Sequence, residues 1–248
     1  GYLYEAIAMR GRYRRCRADW DGHLDRSRHA VLETASACRT HGAALILGSG
    51  LLLDVPLAEL AERFQEVILA DIVHLPQARR YARRFGNVRL LQYDASTVAR
   101  RLFEGVRSGG RELPEPYAAD LRLSSATTMV VSLNLLSQLS VIPRRYTLAH
   151  LPGLIQSDLE TWSLRIVASH HAALSELDCE VCLITDYAYA KRDRHGQVCE
   201  EGSTLHGFEL PAPSSAWTWR IAPLGEQAYD YARELRVGVW RMHPDNVR

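Results

Sequence analysis

Three groups of residues could do chemistry in this chain: Gly48-Ser49-Gly50, the acids Asp71 and Asp94, and the later set Asn134, His150 and Tyr187. The glycines interrupt an apolar run. Gly48 permits a tight turn, and Gly50 withholds a side chain where a ligand could approach the backbone. Asp71 follows the glycines by about twenty residues, at the end of the next apolar run. In a doubly wound sheet that spacing sets an acid beside the glycine turn, where it can accept hydrogen bonds from ribose hydroxyls. A nucleoside-containing cofactor is the chemistry this pattern serves.

On the acceptor side, Asn134 ends an apolar run at the sheet edge where α/β ligands bind. His150 is the one histidine of the set, and imidazole titrates near neutrality, which suits a general base for a hydroxyl or amine. Tyr187 could hold an acceptor by stacking or a hydrogen bond. Plainer readings stand beside these: Asp71 capping a turn, Asp94 leading into a helix, His150 as a loop residue. The adjacent His170 and His171 cannot share one helix face and read as structural. Trp217 and Trp219 alternate along a strand and read as core. Cys179 and Cys182 fall in an apolar run where residues three apart point to opposite faces, so they read as buried cysteines. No HExxH or clustered-carboxylate spacing supports a metal site.

The elements that must position these groups follow from periodicity. Ala44 to Leu47 is a short apolar run with no polar face, as for a strand buried on both sides of a parallel sheet, and Glu66 to Ala70, Val88 to Gln92, Thr128 to Leu133 and Glu180 to Thr185 read as further strands. Helical patterns separate them: one N-capped by Asp54, one opened by Pro76 and running to Phe85, one N-capped by Ser96, and a long one from about Ile155 to Leu177. Pro143 to Pro152 reads as an irregular connection, and Lys191 to Gly207 as a surface insertion or flap. Two late strands, Trp217 to Ile221 and Leu235 to Met242, flank a short helical stretch around Gln227 to Arg233. The alternation predicts right-handed crossovers and a doubly wound sheet, with antiparallel pairing at one edge. Ahead of it, residues 1–20 carry five arginines between Arg10 and Arg17 and read as a solvated segment, a basic arm or a substrate lid; His23 to Cys38 reads as a helix covering one sheet face.

Composition narrows the partners. With 248 residues and 47% hydrophobic content the chain can build one large α/β core. Thirty basic and twenty-nine acidic residues leave a net charge of +1, which gives no global attraction to polyanions. Five scattered cysteines do not form a disulfide framework, and a reducing cytoplasm is expected. No run approaches the ~20 apolar residues of a membrane span, no signal-peptide pattern opens the chain, and a first residue other than Met points to a processed start.

Taken in order, LILGSG, the acid at Asp71, QYDAS around Asp94 and VVSLNLLSQL around Asn134 resemble the motifs of the class I S-adenosylmethionine-dependent methyltransferases. The resemblance covers roughly Ala43 to Met242. It implies a Rossmann-like, doubly wound, mostly parallel seven-stranded sheet with an antiparallel C-terminal strand over residues 41–248, capped by a helical segment over 1–40. It implies S-adenosylmethionine as cofactor, held by Gly48, Ser49, Gly50, Asp71, Asp94 and Asn134, with Asn134, His150 and Tyr187 at the reacting centre. Methyl transfer to an oxygen or nitrogen of a small molecule or protein follows; the Asn134 segment lacks the proline-aromatic motif of nucleic-acid amino-methyltransferases, so nucleic acid is not the expected acceptor. Two departures, Ile46 where the family has an acid and Leu52 where it has a third glycine, keep open a non-catalytic scaffold that binds a protein partner or a second copy. An NAD-dependent oxidoreductase would use Gly48, Gly50 and Asp71 equally, but its fingerprint wants Gly or Ala at the position of Leu53.

Overall fold

In the computed structural model, which describes residues 1–121, 124 and 126–243, the first apolar run is strand β1 (Ala43–Leu47), buried at every position. It pairs in parallel with β2 (Glu66–Asp71) on one side and β4 (Thr127–Leu133) on the other. β3 (Val88–Gln92) extends the β2 side and β5 (Glu180–Asp193) the β4 side. Two late strands, β7 (Ser215–Ala222) and β8 (Tyr231–Met242), complete the order β3-β2-β1-β4-β5-β8-β7, with β8 antiparallel to both neighbours. The chain therefore winds outward in both directions from β1 and β4. The crevice at their carboxyl ends is where such sheets bind ligands.

The period of two sorts the strand residues between two cores. Ala44 and Ile46 point to the face covered by α2 (Arg17–Ala37), α3 (Leu57–Arg63) and α4 (Pro76–Ala82), through Val31, Leu60 and Ala78. Leu45 and Leu47 point to the other face, covered by α5 (Ala99–Arg107) and α7 (Gln156–Ser175), through Leu102, Ile166 and Val167. Leu45 and Ile46 are both fully buried, each contributing roughly 1.5–3 kcal/mol of hydrophobic stabilisation. Ile46, the position that departs from the family acid, is thus a core residue. Cys182 and Cys179 lie on opposite faces, as their spacing predicts.

Several expectations are corrected. The sheet has eight strands, because the polar segment read as a flap folds as a hairpin: β5 runs on to Asp193 and pairs with β6 (Val198–Ser203) around Gly196, at φ +81°. The stretch around Gln227 to Arg233 is a turn leading into β8, not a helix. Pro143 to His150 is helical, within α6 (Val141–His150), whose first turn tolerates the proline. Residues 2–15 form α1 (Tyr2–Arg15), separated from α2 only by Cys16. The 1–40 segment therefore has two parts: α2 packs on the sheet, whereas α1 has no fully buried residue. The sheet domain expected over 41–248 ends in residues 244–248, which lie outside the described residues. Among the described residues no helix is long and apolar enough to cross a membrane.

Candidate functional site

The turn after β1 is held against both neighbouring strands. Gly48 N donates to Ala70 O at 2.9 Å, and Gly48 has φ +78°, the left-handed region that favours glycine. A Cβ on Gly48 would lie 2.7 Å from Leu133 O and 3.0 Å from Leu135 Cβ, so the turn packs directly on the end of β4. At Gly50 a Cβ would meet only Asp71 Oδ2 at 3.7 Å and Gly48 O at 3.8 Å. The first glycine is therefore demanded by packing within the protein, and the second leaves an open approach. Leu52, which stands where the family has a glycine, still adopts φ +59°.

Asp71 reaches back to this turn as expected. Its Oδ2 accepts from Gly50 N at 2.8 Å and its Oδ1 from Val73 N at 3.1 Å. Asp94 is committed to its own helix: Oδ1 accepts from Ser96 N and Ser96 Oγ, and Oδ2 from Ala99 N at 3.0 Å. The turn reading of Asp94 thus holds, although the residue also lines the cleft. Ser96 lies ahead of the helix cap and supports α5 by accepting from Val98 N and Ala99 N. Asp54, expected as an N-cap, is not one. The segment from Gly50 to Pro56 is irregular, α3 starts at Leu57, and the Asp54 Oδ2 accepts from Asn134 Nδ2 at 2.8 Å.

Around these groups lie three adjoining cavities that all touch Tyr2. One, of about 790 Å³, lies beyond Asp94 and is walled by Tyr93, Phe103 and Tyr146. A narrower one passes Gly48, Asp71 and Asp94. The third, of about 270 Å³, runs from Gly50, Asp71 and Asn134 to Met9, Trp20 and Trp219. Tyr2, carried by α1, lines the cleft beside Asp71, Asp94 and Ser96; burial, then the charges of Asp94 and Asp71, push its phenol pKa up.

The floor of the third cavity is a buried histidine. His23 stacks on Trp219 with ring centroids 3.8 Å apart, and Trp217 Nε1 donates to His23 Nδ1 at 3.1 Å. Burial lowers its pKa to about 3, so the ring is neutral near pH 7. With Nδ1 accepting, the ring proton sits on Nε2, and the Asn134 Nδ2 3.3 Å away is a second donor, so that contact is not a hydrogen bond. Asn134 itself adopts φ +49°, and its Oδ1 is buried without a partner.

The sequence-predicted residues divide cleanly. Gly48, Gly50, Asp71, Asp94 and Asn134 converge on the cavities; Ser49 is fully buried beneath the turn, with its hydroxyl unpartnered. His150 does not join them. It ends α6 on the surface, stacked on Tyr146 at 4.1 Å with Nδ1 contacting Tyr146 O at 2.9 Å. Tyr187 packs on the opposite sheet face, edge-on to Trp240, on the side that alternation along β5 already gives Leu183. Asp186 continues the side of Cys182 and Ile184; 3% exposed, it lines the third cavity, where its Oδ1 accepts from Ser137 Oγ at 2.6 Å. Burial raises the carboxyl pKa of both Asp186 and Asp54. Tyr2, His23, Asp54 and Asp186 were not among the predicted site residues. Only Asp186 carried a signal, an acid closing an apolar strand as Asp71 does. Among the described residues no three His, Cys, Asp or Glu side chains group as a metal site requires.

Neither a protein family nor a curated protein matches the chain. Among solved structures it is similar to 1,6-didemethyltoxoflavin-N1-methyltransferase of Burkholderia thailandensis with bound 1,6-didemethyltoxoflavin and S-adenosylhomocysteine, at 15% identity over 97% of this chain and 90% of that one, TM-score 0.35. It is also similar to the N-methyltransferase NodS of Bradyrhizobium japonicum WM9 in complex with S-adenosylhomocysteine, at 10% identity over 88% and 85%, TM-score 0.40. A complex of DhpI with SAM and HEP matches at 15% identity over 94% and 97%, TM-score 0.39. Likenesses this loose carry no weight on activity, so the functional reading rests on the chain's own residues.

Proposed function

We propose that the chain is an S-adenosylmethionine-dependent methyltransferase acting on an oxygen or nitrogen of a small molecule or protein. The observation that carries the reading is the glycine turn at the switch point with Asp71 bonded back to it and no helix N-terminus aimed at it. A dinucleotide site of the Rossmann type starts its helix at the glycines, so that the pyrophosphate sits on the helix N-terminus. Here Leu51 to Pro56 intervene before α3, and the cavity at Gly50 is lined by Glu5, Asp54, Asp71 and Asp186 without a single Lys or Arg. That lining repels phosphate and suits a cation. A nucleoside bearing a sulfonium fits it, and NAD does not.

In this reading Gly50 gives the cofactor backbone access, Asp71 accepts from its ribose, and the aromatic-walled cavity beyond Asp94 takes its base. S-adenosylmethionine, when bound, supplies a methyl group made electrophilic by the sulfonium. The protein's part is alignment and exclusion of water, with Asn134 held by the Asp54 carboxylate where the third cavity passes His23. α1 serves as the lid over the cleft, with Tyr2 across it and Glu5 tied to Arg145 of α6 at 2.8 Å. Parallel thermal-shift titrations test the assignment: S-adenosylhomocysteine should raise the unfolding temperature and NAD should not, and the reverse result would transfer the site to an oxidoreductase.

A further inference from the structure

The third cavity has two ends, and only the one at Gly50 and Asp71 is used by the cofactor in the reading above. At the other end lie Trp20, Leu24, Trp219 and Ile221, with Asp186 in the wall. Trp219 is 7% exposed, and its indole N–H is buried with no partner. His23, stacked on the same ring, is neutral and brings no charge. The lining there therefore offers two largely buried indoles, one already stacked on His23, and one acid, with no Lys or Arg to receive an anionic acceptor. Glu5 is paired with Arg145, both oxygens of Asp71 with backbone N–H groups, and Asp54 with Asn134, while Asp186 is held by Ser137 through Oδ1.

We infer that this end of the cavity takes an aryl or alkyl amine, with the ring or chain against Trp20 and Trp219 and the nitrogen on the Asp186 carboxylate. The inference rests on the methyltransferase reading for its chemistry, though not for the binding itself. The bound ammonium first gives a proton to bulk water, and the neutral amine then attacks the methyl carbon; a C–N bond forms as the S–C bond breaks, and the electron pair stays on sulfur as a neutral thioether. The nitrogen, now cationic, passes one proton to Asp186. Burial raises the affinity of Asp186 for that proton, and Ser137 holds its Oδ1 while the transfer occurs.

Three probes of one size separate the alternatives: 2-phenylethylamine, 2-phenylethanol and phenylacetate, titrated calorimetrically into the full chain with and without saturating S-adenosylhomocysteine. The amine should bind at least tenfold more tightly than the alcohol, and phenylacetate most weakly of the three. Asp186→Asn should bring the amine down to the level of the alcohol while leaving S-adenosylhomocysteine affinity within twofold. Equal binding of the three probes, absence of amine binding, or tighter binding of phenylacetate would overturn the inference. If Asp186→Asn fails to fold, the wild-type ranking decides. The outcome is separable from that of the cofactor assignment: amine preference without S-adenosylhomocysteine binding would uphold the cavity and sink the methyltransferase, and the reverse pattern would do the opposite.

Discussion

The two glycines of the turn give a quantitative contrast. In Gly48→Ala the new Cβ meets a carbonyl oxygen at 2.7 Å and a side-chain carbon at 3.0 Å, both on the segment that ends β4. Neither neighbour is a flexible side-chain end, so β1 and β4 must move apart, an overpacking cost of about 1–3 kcal/mol. The left-handed backbone at φ +78° adds about 1–2 kcal/mol for a residue with a Cβ. The sum, about 2–5 kcal/mol, is a large share of the ~5–15 kcal/mol that holds a typical domain. In Gly50→Ala the nearest atom is 3.7 Å away, so only the backbone cost of about 1–2 kcal/mol remains. Urea unfolding followed by circular dichroism should therefore place Gly48→Ala clearly below Gly50→Ala in stability. Gly50→Ala should instead lose S-adenosylmethionine affinity while remaining folded. Equal midpoints for the two variants, or unchanged ligand affinity in Gly50→Ala, would refute the assigned turn.

Two further predictions concern stability. His23 and His170 are buried neutral, with pKa values lowered to about 3 and about 4. The unfolded chain therefore takes up protons first as pH falls below the ordinary histidine value, and each ring withdraws about 2 kcal/mol of stability between pH 7 and pH 5. Urea midpoints at the two pH values should show this loss, and His170→Gln should remove about 2 kcal/mol of the dependence even though it disturbs the contact with Ser132 at 2.9 Å; an unchanged slope would mean the ring is not buried neutral. Asp94→Ala removes acceptors for Ser96 N, Ala99 N and Arg100 N, and should cost about 1–2 kcal/mol by uncapping α5; a neutral effect in thermal unfolding would show that Ser96 alone caps the helix.

What could be read from the sequence was what a local pattern controls. Each of the five parallel strands appears within a residue or two of its expected start; β1 is apolar and buried throughout, whereas β3 exposes Arg89 and Gln92. The glycine turn and Asp71 were legible because their spacing is set by one strand–helix–strand unit. Asp94 carried two readings, and its hydrogen bonds to Ser96, Ala99 and Arg100 uphold the capping one. The misreadings came from tertiary placement. The polarity of Lys191 to Gly207 signals exposure, and a hairpin projecting beyond the sheet is as exposed as a loop. His150 was singled out for its side chain alone, and nothing local says that α6 carries it to the surface. Tyr187 and Asp186 are neighbours on β5 and so point to opposite faces, and which face meets the site is set by the helices packed on each, not by the local sequence. His23 meets Asn134 and Trp219 across more than a hundred residues of chain, and Tyr2 reaches Asp71 and Asp94 from the first helix, which no periodicity reports.

Calorimetric titration of S-adenosylmethionine into the wild-type chain and into Asp71→Ala tests the central claim most directly. The wild type should bind one equivalent, and the variant, still folded by circular dichroism, should bind about 1–3 kcal/mol more weakly through loss of the ribose acceptor. Absence of saturable binding to the wild type, or identical affinity in the two proteins, would contradict the assignment of the cleft to this cofactor.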